Sequence, residues 1–172
     1  MKTYGQFTTS SACIGCGACV ELCPYFKNYR GKTAQLFPCS LPQGRCFAYC
    51  PKAEVDLDAL SRRIWNTPYD ARPLGVYSAI VASRSGEAMP RAKFQGGGTV
   101  SALMTCAMQR GLVDVAALTG RDGLMPAPRL VTRWQEVAAA AGSQFMASPT
   151  LAGVNVAVRQ GYKKIGVVGT PC

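Results

Sequence analysis

The sequence predicts an α+β protein in two unlike parts, on three observations. Seven of the nine cysteines fall between positions 13 and 50. A proline-bearing stretch, with Pro68, Pro73 and Gly75, then interrupts the chain. Beyond it β-like and helical runs alternate, the pattern of a sheet covered by helices. The expected division is a cysteine-rich domain over 1–62, a linker over 63–75 and an α/β module over 76–172.

The first part is decided by the stretch CIGCGACVELCP, in which Cys13, Cys16, Cys19 and Cys23 stand at C-x2-C-x2-C-x3-C-P. A disulfide framework fits poorly, because cysteines so close along the chain are seldom placed to pair with each other. Structural zinc prefers pairs of C-x2-C separated by a longer stretch. The tandem run followed by proline is the one by which bacterial ferredoxins hold iron-sulfur clusters. Two intervening residues let a loop curl so that three thiolates converge, and Gly15 and Gly17 permit the left-handed turns this needs. The x3 step puts Cys23 on a helical turn pointing away, and Pro24 redirects the chain. The first part is therefore read as a small ferredoxin-like iron-sulfur domain.

An echo follows in CSLPQGRCFAYCPK, residues 39 to 52, where Cys46 and Cys50 correspond to Cys19 and Cys23. By the crossover rule one cluster takes Cys13, Cys16, Cys19 and Cys50. The other takes Cys23, Cys39 and Cys46, one thiolate short, because Ser40 and Gln43 occupy the places of regular ligands. A [3Fe-4S] cluster, a [4Fe-4S] cluster with a non-standard fourth ligand and a vacant site all remain open.

Residues 53 to 75 read as a short helix with Asp56 or Asp58 near its start and Arg62 and Arg63 near its end, and then the connector. VYSAIVASR (76–84) reads as a strand. GGGTVSALMTCAMQRG (96–111) reads as a helix with Val100, Leu103, Met104 and Ala107 on one face and Cys106 in the core. LVDVAALTG (112–120) is a buried strand, TRWQEVAAAAG (132–142) a helix capped by Thr132 and Gly142, and KKIGVVGTPC (163–172) a strand entering a turn. Gly96, Gly97 and Gly98 precede a helix, where bare backbone can approach a ligand and the first N–H groups attract phosphate. Neither the P-loop nor the dinucleotide-binding glycine signature is present.

The chain carries a formal charge of +10. About +2 of this belongs to residues 1 to 60 and about +8 to the remainder. Such a surface attracts an anionic cofactor or an acidic partner. No lysine-rich run or RNA-binding aromatic signature appears, so nucleic acid is not expected as a partner. With no secretory signal and no apolar run of membrane-spanning length, a cytoplasmic location in a reducing compartment is expected. The sequence has no histidine, which removes the commonest proton shuttle and leaves hydride chemistry to cofactors.

Four separated motifs, the cysteine run, FQGGGTVSALMTCAMQRGLVDVAAL, PAPRLVTRWQEVAAAAGSQFMASP and KKIGVVGTPC, resemble in order the beta-subunit family of coenzyme F420 hydrogenases and dehydrogenases. That family includes flavin subunits of formate dehydrogenases and chlorophyll-metabolising reductases. The resemblance implies an FAD-binding α/β module, here its N-terminal part, that passes electrons between iron-sulfur clusters and a two-electron carrier: coenzyme F420, NAD(P) or ferredoxin. It implies as partners the other subunits of a hydrogenase, formate dehydrogenase or disulfide-reductase-like complex. By the same resemblance Gly97, Gly98 and Thr99, with Gly96 before them, lie near FAD. So do Gly142, Ser143, Gln144, Ser148 and Pro149. Cys172 matches the cysteine of the family's G-T-P-C motif and is expected to ligate a further cluster. Gln144 stands where relatives usually carry lysine, Gly96 replaces a common serine or aspartate, and the family's segments after G-T-P-C are absent. The rival expectations are a polyferredoxin-like adaptor without flavin and a zinc-stabilised nucleic-acid binder.

Overall fold

The computed structural model describes residues 12–41, 44–53, 55–86, 89 and 94–170. The cysteine-rich part begins with the loop over 12–25. It continues into an antiparallel hairpin, β1 (Phe26–Tyr29) and β2 (Lys32–Gln35), joined by Arg30 and Gly31, both at positive φ. A single turn of helix, α1 (Arg45–Ala48), leads into Cys50. Cys19, Val20 and Phe26 are buried here, with Cys23, Cys46 and Cys50 packed against them.

The next helix, α2 (Leu57–Trp65), starts where the acidic residues indicate: Asp56 accepts a hydrogen bond from the Ala59 N–H, and Asn66 ends the helix in a left-handed conformation. It runs unbroken across position 62. Residues 76–84, expected as a strand, form an irregular segment outside any sheet, with bends at Val76 and Ser78 and with Tyr77, Ile80 and Val81 exposed. Its small and branched residues favour extension, but no ladder partner among the described residues meets it. It is tied instead to the glycine loop, where the Ser85 N–H donates to the Gly97 carbonyl and Ser83 shares a hydrogen bond with Thr99.

The second part is a mixed three-stranded sheet in the order β4-β3-β5. Strand β3 (Val115–Asp122) pairs antiparallel with β4 (Met125–Val131) across a tight turn at Gly123, and parallel with β5 (Ile165–Val167). Helix α3 (Thr99–Gln109) forms as expected, but turned about its axis. Met104 and Thr105 are buried, whereas Val100 and Leu103 face outward. The core is met by Met104 and Met108 one turn apart, packed with Ala116, Leu118, Val131 and Val137. Cys106, expected in the core, is half-buried. The helix expected over 132–142 is a 3-10 segment, Trp134–Ala140, that Thr132 does not cap. Its one buried residue, Val137, anchors it to the core, and the Arg133–Glu136 pair holds its start.

Helix α4 (Thr150–Arg159) lies between the two parts. Gly153 faces the sheet, where an added Cβ would fall 3.2 Å from Pro128 and 3.5 Å from Leu130. Ala152 is buried among Cys19, Val20 and Phe26 of the cysteine-rich part. Among the described residues no helix is long and apolar enough to cross a membrane.

Candidate iron-sulfur and cofactor site

The cysteine loop takes its shape from three left-handed residues, Gly15 (φ 68°), Gly17 (φ 80°) and Glu21 (φ 62°). Between them the backbone makes a helical turn in which the Val20 N–H donates to the Gly17 carbonyl and the Cys23 N–H to the Cys19 carbonyl. The glycines are also needed for space. A Cβ on Gly15 would lie 2.0 Å from the Gly31 carbonyl oxygen, and one on Gly17 would lie 2.7 Å from the Pro149 carbonyl oxygen.

Cys13, Cys16, Cys19, Cys46 and Cys50 line one small recess together with Gly15, Thr33 and Pro51; Cys23 and Cys39 do not. Burial is the chief cause that pushes the Cys16 thiol up; the Ala18 backbone pulls it back, and charge on Cys50 and Cys13 raises it further. Cys46 is raised in the same way, first by burial and then, against a hydrogen bond from the Phe47 backbone, by charge on Cys23 and Cys39. Cys16 thus feels Cys50 and Cys13, and Cys46 feels Cys23 and Cys39, while both thiols line the same recess. Cys39 is exposed; Cys172 lies outside the described residues. Among the described residues no disulfide joins any of the eight cysteines, and no three Cys, Asp, Glu or His side chains close round a single metal ion. In a cubane each thiolate binds its own iron, so its ligands stand farther apart than those of one ion. The donor set fits that group: crowded thiolates repel one another, and iron supplies the positive charge that relieves the repulsion.

A second, much larger cavity of about 780 Å³ opens beside the recess. Of the residues expected near a flavin, Gly96, Gly97, Gly98, Thr99, Gly142, Ser143, Gln144 and Ser148 line it. Pro149 does not; it is buried under Gly17 and brings the cysteine loop against α4. The N-termini of α3 and α4 both open into the cavity through Thr99, Val100, Thr150 and Leu151. Apolar side chains, among them Met104, Leu118, Val137 and Val167, form the remaining wall. No Asp, Glu, Lys or Arg lines it among the described residues, although the chain as a whole is strongly basic. Its volume and its mix of apolar wall with a few polar groups are those of a cofactor site.

Several residues of the site carried no recognised signal in the sequence. Gln95 accepts a hydrogen bond from the Ser143 N–H at 2.7 Å and so joins the two glycine-bearing stretches. Arg121 donates to Gln144 at 3.1 Å. Thr119 on β3, Thr150 and Ser148 form a chain of hydroxyls, with separations of 2.7 and 2.9 Å, on the cavity wall. Ile14, Cys16 and Pro51 line both the recess and the cavity, so one thin wall separates them.

Ion pairing at the far end of the loop is pH-sensitive. The Glu21 carboxyl is held below the usual carboxylate range, first by its hydrogen bond from Arg159 and also by the charge of Lys27, with burial opposing. A depressed folded-state value means that this contribution is complete above the ordinary carboxylate range and is lost as the pH falls through the lowered value. Glu21→Gln is expected to lower melting slightly at neutral pH and, by the same small amount, to flatten its pH dependence in that acid window, since exposed pairs contribute little. Wild-type melting that is flat through the same window would contradict this.

A mixed α/β fold behind a C-x2-C-x2-C-x3-C-P run belongs to the class of iron-sulfur electron-transfer subunits. The comparison with known families is more particular. Residues 80–155 match the N-terminal domain of the coenzyme F420 hydrogenase/dehydrogenase beta subunit, and residues 9–25 match a 4Fe-4S binding domain. By these matches the chain is similar to that beta-subunit family, over the residues stated. An uncharacterized protein of Methanocaldococcus jannaschii is 29% identical over the whole chain, which spans 54% of that relative. The coenzyme F420 hydrogenase beta subunit of Methanococcus voltae is 38% identical over 58% of the chain and 37% of its own length. The coenzyme F420-dependent sulfite reductase of Methanocaldococcus jannaschii is 25% identical over 97% of the chain and 25% of its own length. The chain therefore spans about half, or less, of the relatives it matches.

Proposed function

We propose that this chain is the iron-sulfur and flavin-binding part of an oxidoreductase subunit. In this reading it passes electrons between [4Fe-4S] clusters and FAD, and on to a two-electron carrier such as coenzyme F420, NAD(P) or ferredoxin. Cys13, Cys16, Cys19 and Cys50 hold one cluster; Cys23, Cys39 and Cys46 hold a second with an irregular ligand set. The observation that carries the reading is the shared wall of Ile14, Cys16 and Pro51 between the thiol recess and the glycine-lined cavity. Electrons leaving a cluster in the recess have only that wall to cross.

Bound FAD exchanges electrons in pairs with a carrier and singly with a cluster, which makes it the gate between the two. The chain's residues supply position. Gly97 lets the loop pack against Ser83, whose carbonyl oxygen would lie 2.8 Å from an added Cβ, and Gly98 turns the chain at φ 72° into the first N–H groups of α3, which it has no side chain to cap. Those N–H groups and the helix dipole favour a phosphate group. The hydroxyls of Thr119, Thr150 and Ser148 have three protons and two mutual hydrogen bonds, so one proton is left to donate to a bound ring. No ionisable side chain among the described lining residues, Cys16 apart, competes with transfer to the cofactor. The partners in this reading are the catalytic subunits of a hydrogenase-like or reductase-like complex, and the relatives F420 hydrogenase and F420-dependent sulfite reductase support that class.

The test is FAD titration of the anaerobically prepared chain, with Thr150→Val beside it. Wild type is expected to bind FAD stoichiometrically. The isosteric variant removes the hydroxyl that both neighbours use, costing about 1–2 kcal/mol, or roughly tenfold in affinity. A chain that holds iron but binds no FAD overturns the flavin reading and leaves an electron-transfer adaptor.

A further inference from the structure

Helix α4 is attached to the cysteine loop along its whole length. At its first turn, the Leu151 N–H donates to the Cys16 carbonyl at 3.0 Å. One turn on, the Asn155 amide donates to the Ala18 carbonyl at 3.0 Å and the Val20 carbonyl at 2.7 Å. One further turn on, Arg159 pairs with Glu21 at 2.7 Å. Residues 151, 155 and 159 recur at the helical repeat and form one stripe. The opposite face, at Gly153, rests on the sheet. The N-terminus of α4 has no side-chain cap of its own; the Cys16 carbonyl takes one of its free N–H groups. That same N-terminus, with Ser148 and Thr150, is a wall of the large cavity.

We infer that loading of the Cys13, Cys16, Cys19 and Cys50 site controls the cavity, with Asn155 as the positioning residue that carries the coupling. The inference rests on the proposed cluster ligation. A loop with left-handed residues at 15, 17 and 21 is costly to hold, and iron bound by three thiolates of that loop fixes it. Once fixed, the loop presents the carbonyls of Cys16, Ala18 and Val20 to α4 and orders the helix's first turn. Without iron those acceptors move, and Asn155 loses two partners at once. The cavity wall is complete only in the loaded chain. By linkage, a ligand in the cavity favours loading by the same factor.

The experiment compares the full chain, anaerobically reconstituted with iron and sulfide, with the same chain after chelation. It reads amide hydrogen exchange, with the β3–β4 hairpin as internal reference. Loading is expected to slow exchange over residues 150–159 about tenfold relative to the hairpin, within the usual range of coupling between sites. Asn155→Leu, alike in branching and in its count of side-chain heavy atoms, is expected to take up iron yet lose most of that response, whereas Arg159→Gln keeps it. Loading that leaves residues 150–159 unchanged relative to the hairpin in wild type overturns the inference, and this arm needs no variant to fold. An Asn155→Leu chain that responds as fully as wild type also overturns it. Iron analysis separates the two failures: a chain that takes up no iron overturns the cluster reading as well, whereas iron without the response overturns the coupling alone.

Discussion

Gly15→Val is expected to yield a chain that keeps its β3–β4 hairpin but holds almost no iron in the Cys13, Cys16, Cys19 and Cys50 site. A residue with a side chain at φ 68° carries roughly 1–2 kcal/mol of strain, which the fold alone could absorb. Space decides the outcome. The added Cβ would sit 2.0 Å from the Gly31 carbonyl oxygen, in the turn between β1 and β2. Both sides of that contact are backbone, so no rotamer relieves it, and the loop bearing Cys13, Cys16 and Cys19 has to swing away from the hairpin. Gly86→Val is the matched control: its φ is 67°, with nothing among the described residues within 4 Å of an added Cβ. It carries the same backbone strain without the collision, and its iron content is expected to match wild type. Equal iron in Gly15→Val and wild type, measured per chain after anaerobic reconstitution, would show that the loop does not need this close approach.

Cys50→Ala is expected to remove a whole cluster, about four iron atoms per chain, although Cys50 is far in sequence from the other three ligands. The residue is delivered by α1, where the Cys50 N–H donates to the Phe47 carbonyl at the helix end, and it faces the same recess as Cys13, Cys16 and Cys19. Cys23→Ala is expected to strike the other cluster, since the x3 step sets Cys23 apart and it does not line the recess that Cys50 shares with Cys13, Cys16 and Cys19. The two variants therefore differ in which spectroscopic signal they lose, and Cys106→Ala, half-buried on α3, loses neither. Low-temperature spin resonance of the reduced variants, with iron and labile-sulfide analysis, makes the comparison. Loss of the same signal from Cys50→Ala and Cys23→Ala would break the crossover assignment.

What could be seen in the sequence follows from how local the cause is. The cysteine run was legible because ligand convergence is set by a few successive residues, and the family match to residues 9–25 falls on the same stretch. Helix α3 and strand β3 were legible because periodicity and glycine boundaries mark them, yet the face that α3 buries depends on where the sheet lies. Strand β4 carries Pro126 and Pro128, which argue against a strand; it exists because it is an edge strand, where a missing N–H costs no ladder bond. Helix α4 carries Gly153 and the branched Val154, Val156 and Val158, all poor helix formers. It is held by tertiary contacts, the Gly153 approach to Pro128 on one side and Asn155 on the other, which no local pattern announces. The strand expected over 76–84 fails for the converse reason: its residues favour extension, but a strand also needs a neighbour. The residues expected near a flavin came from the family resemblance, and eight of the nine line one cavity. The cluster ligands and the cavity meet only through the fold, at Ile14, Cys16 and Pro51.

The most direct measurement is the absorption spectrum and composition of the chain purified without oxygen and supplied with iron, sulfide and FAD. The broad iron-sulfur shoulder is expected together with flavin bands, with at least about four iron atoms and about one FAD per chain. A colourless chain that stays free of iron after reconstitution would contradict the assignment of its thiols, and with it the route from cluster to cavity.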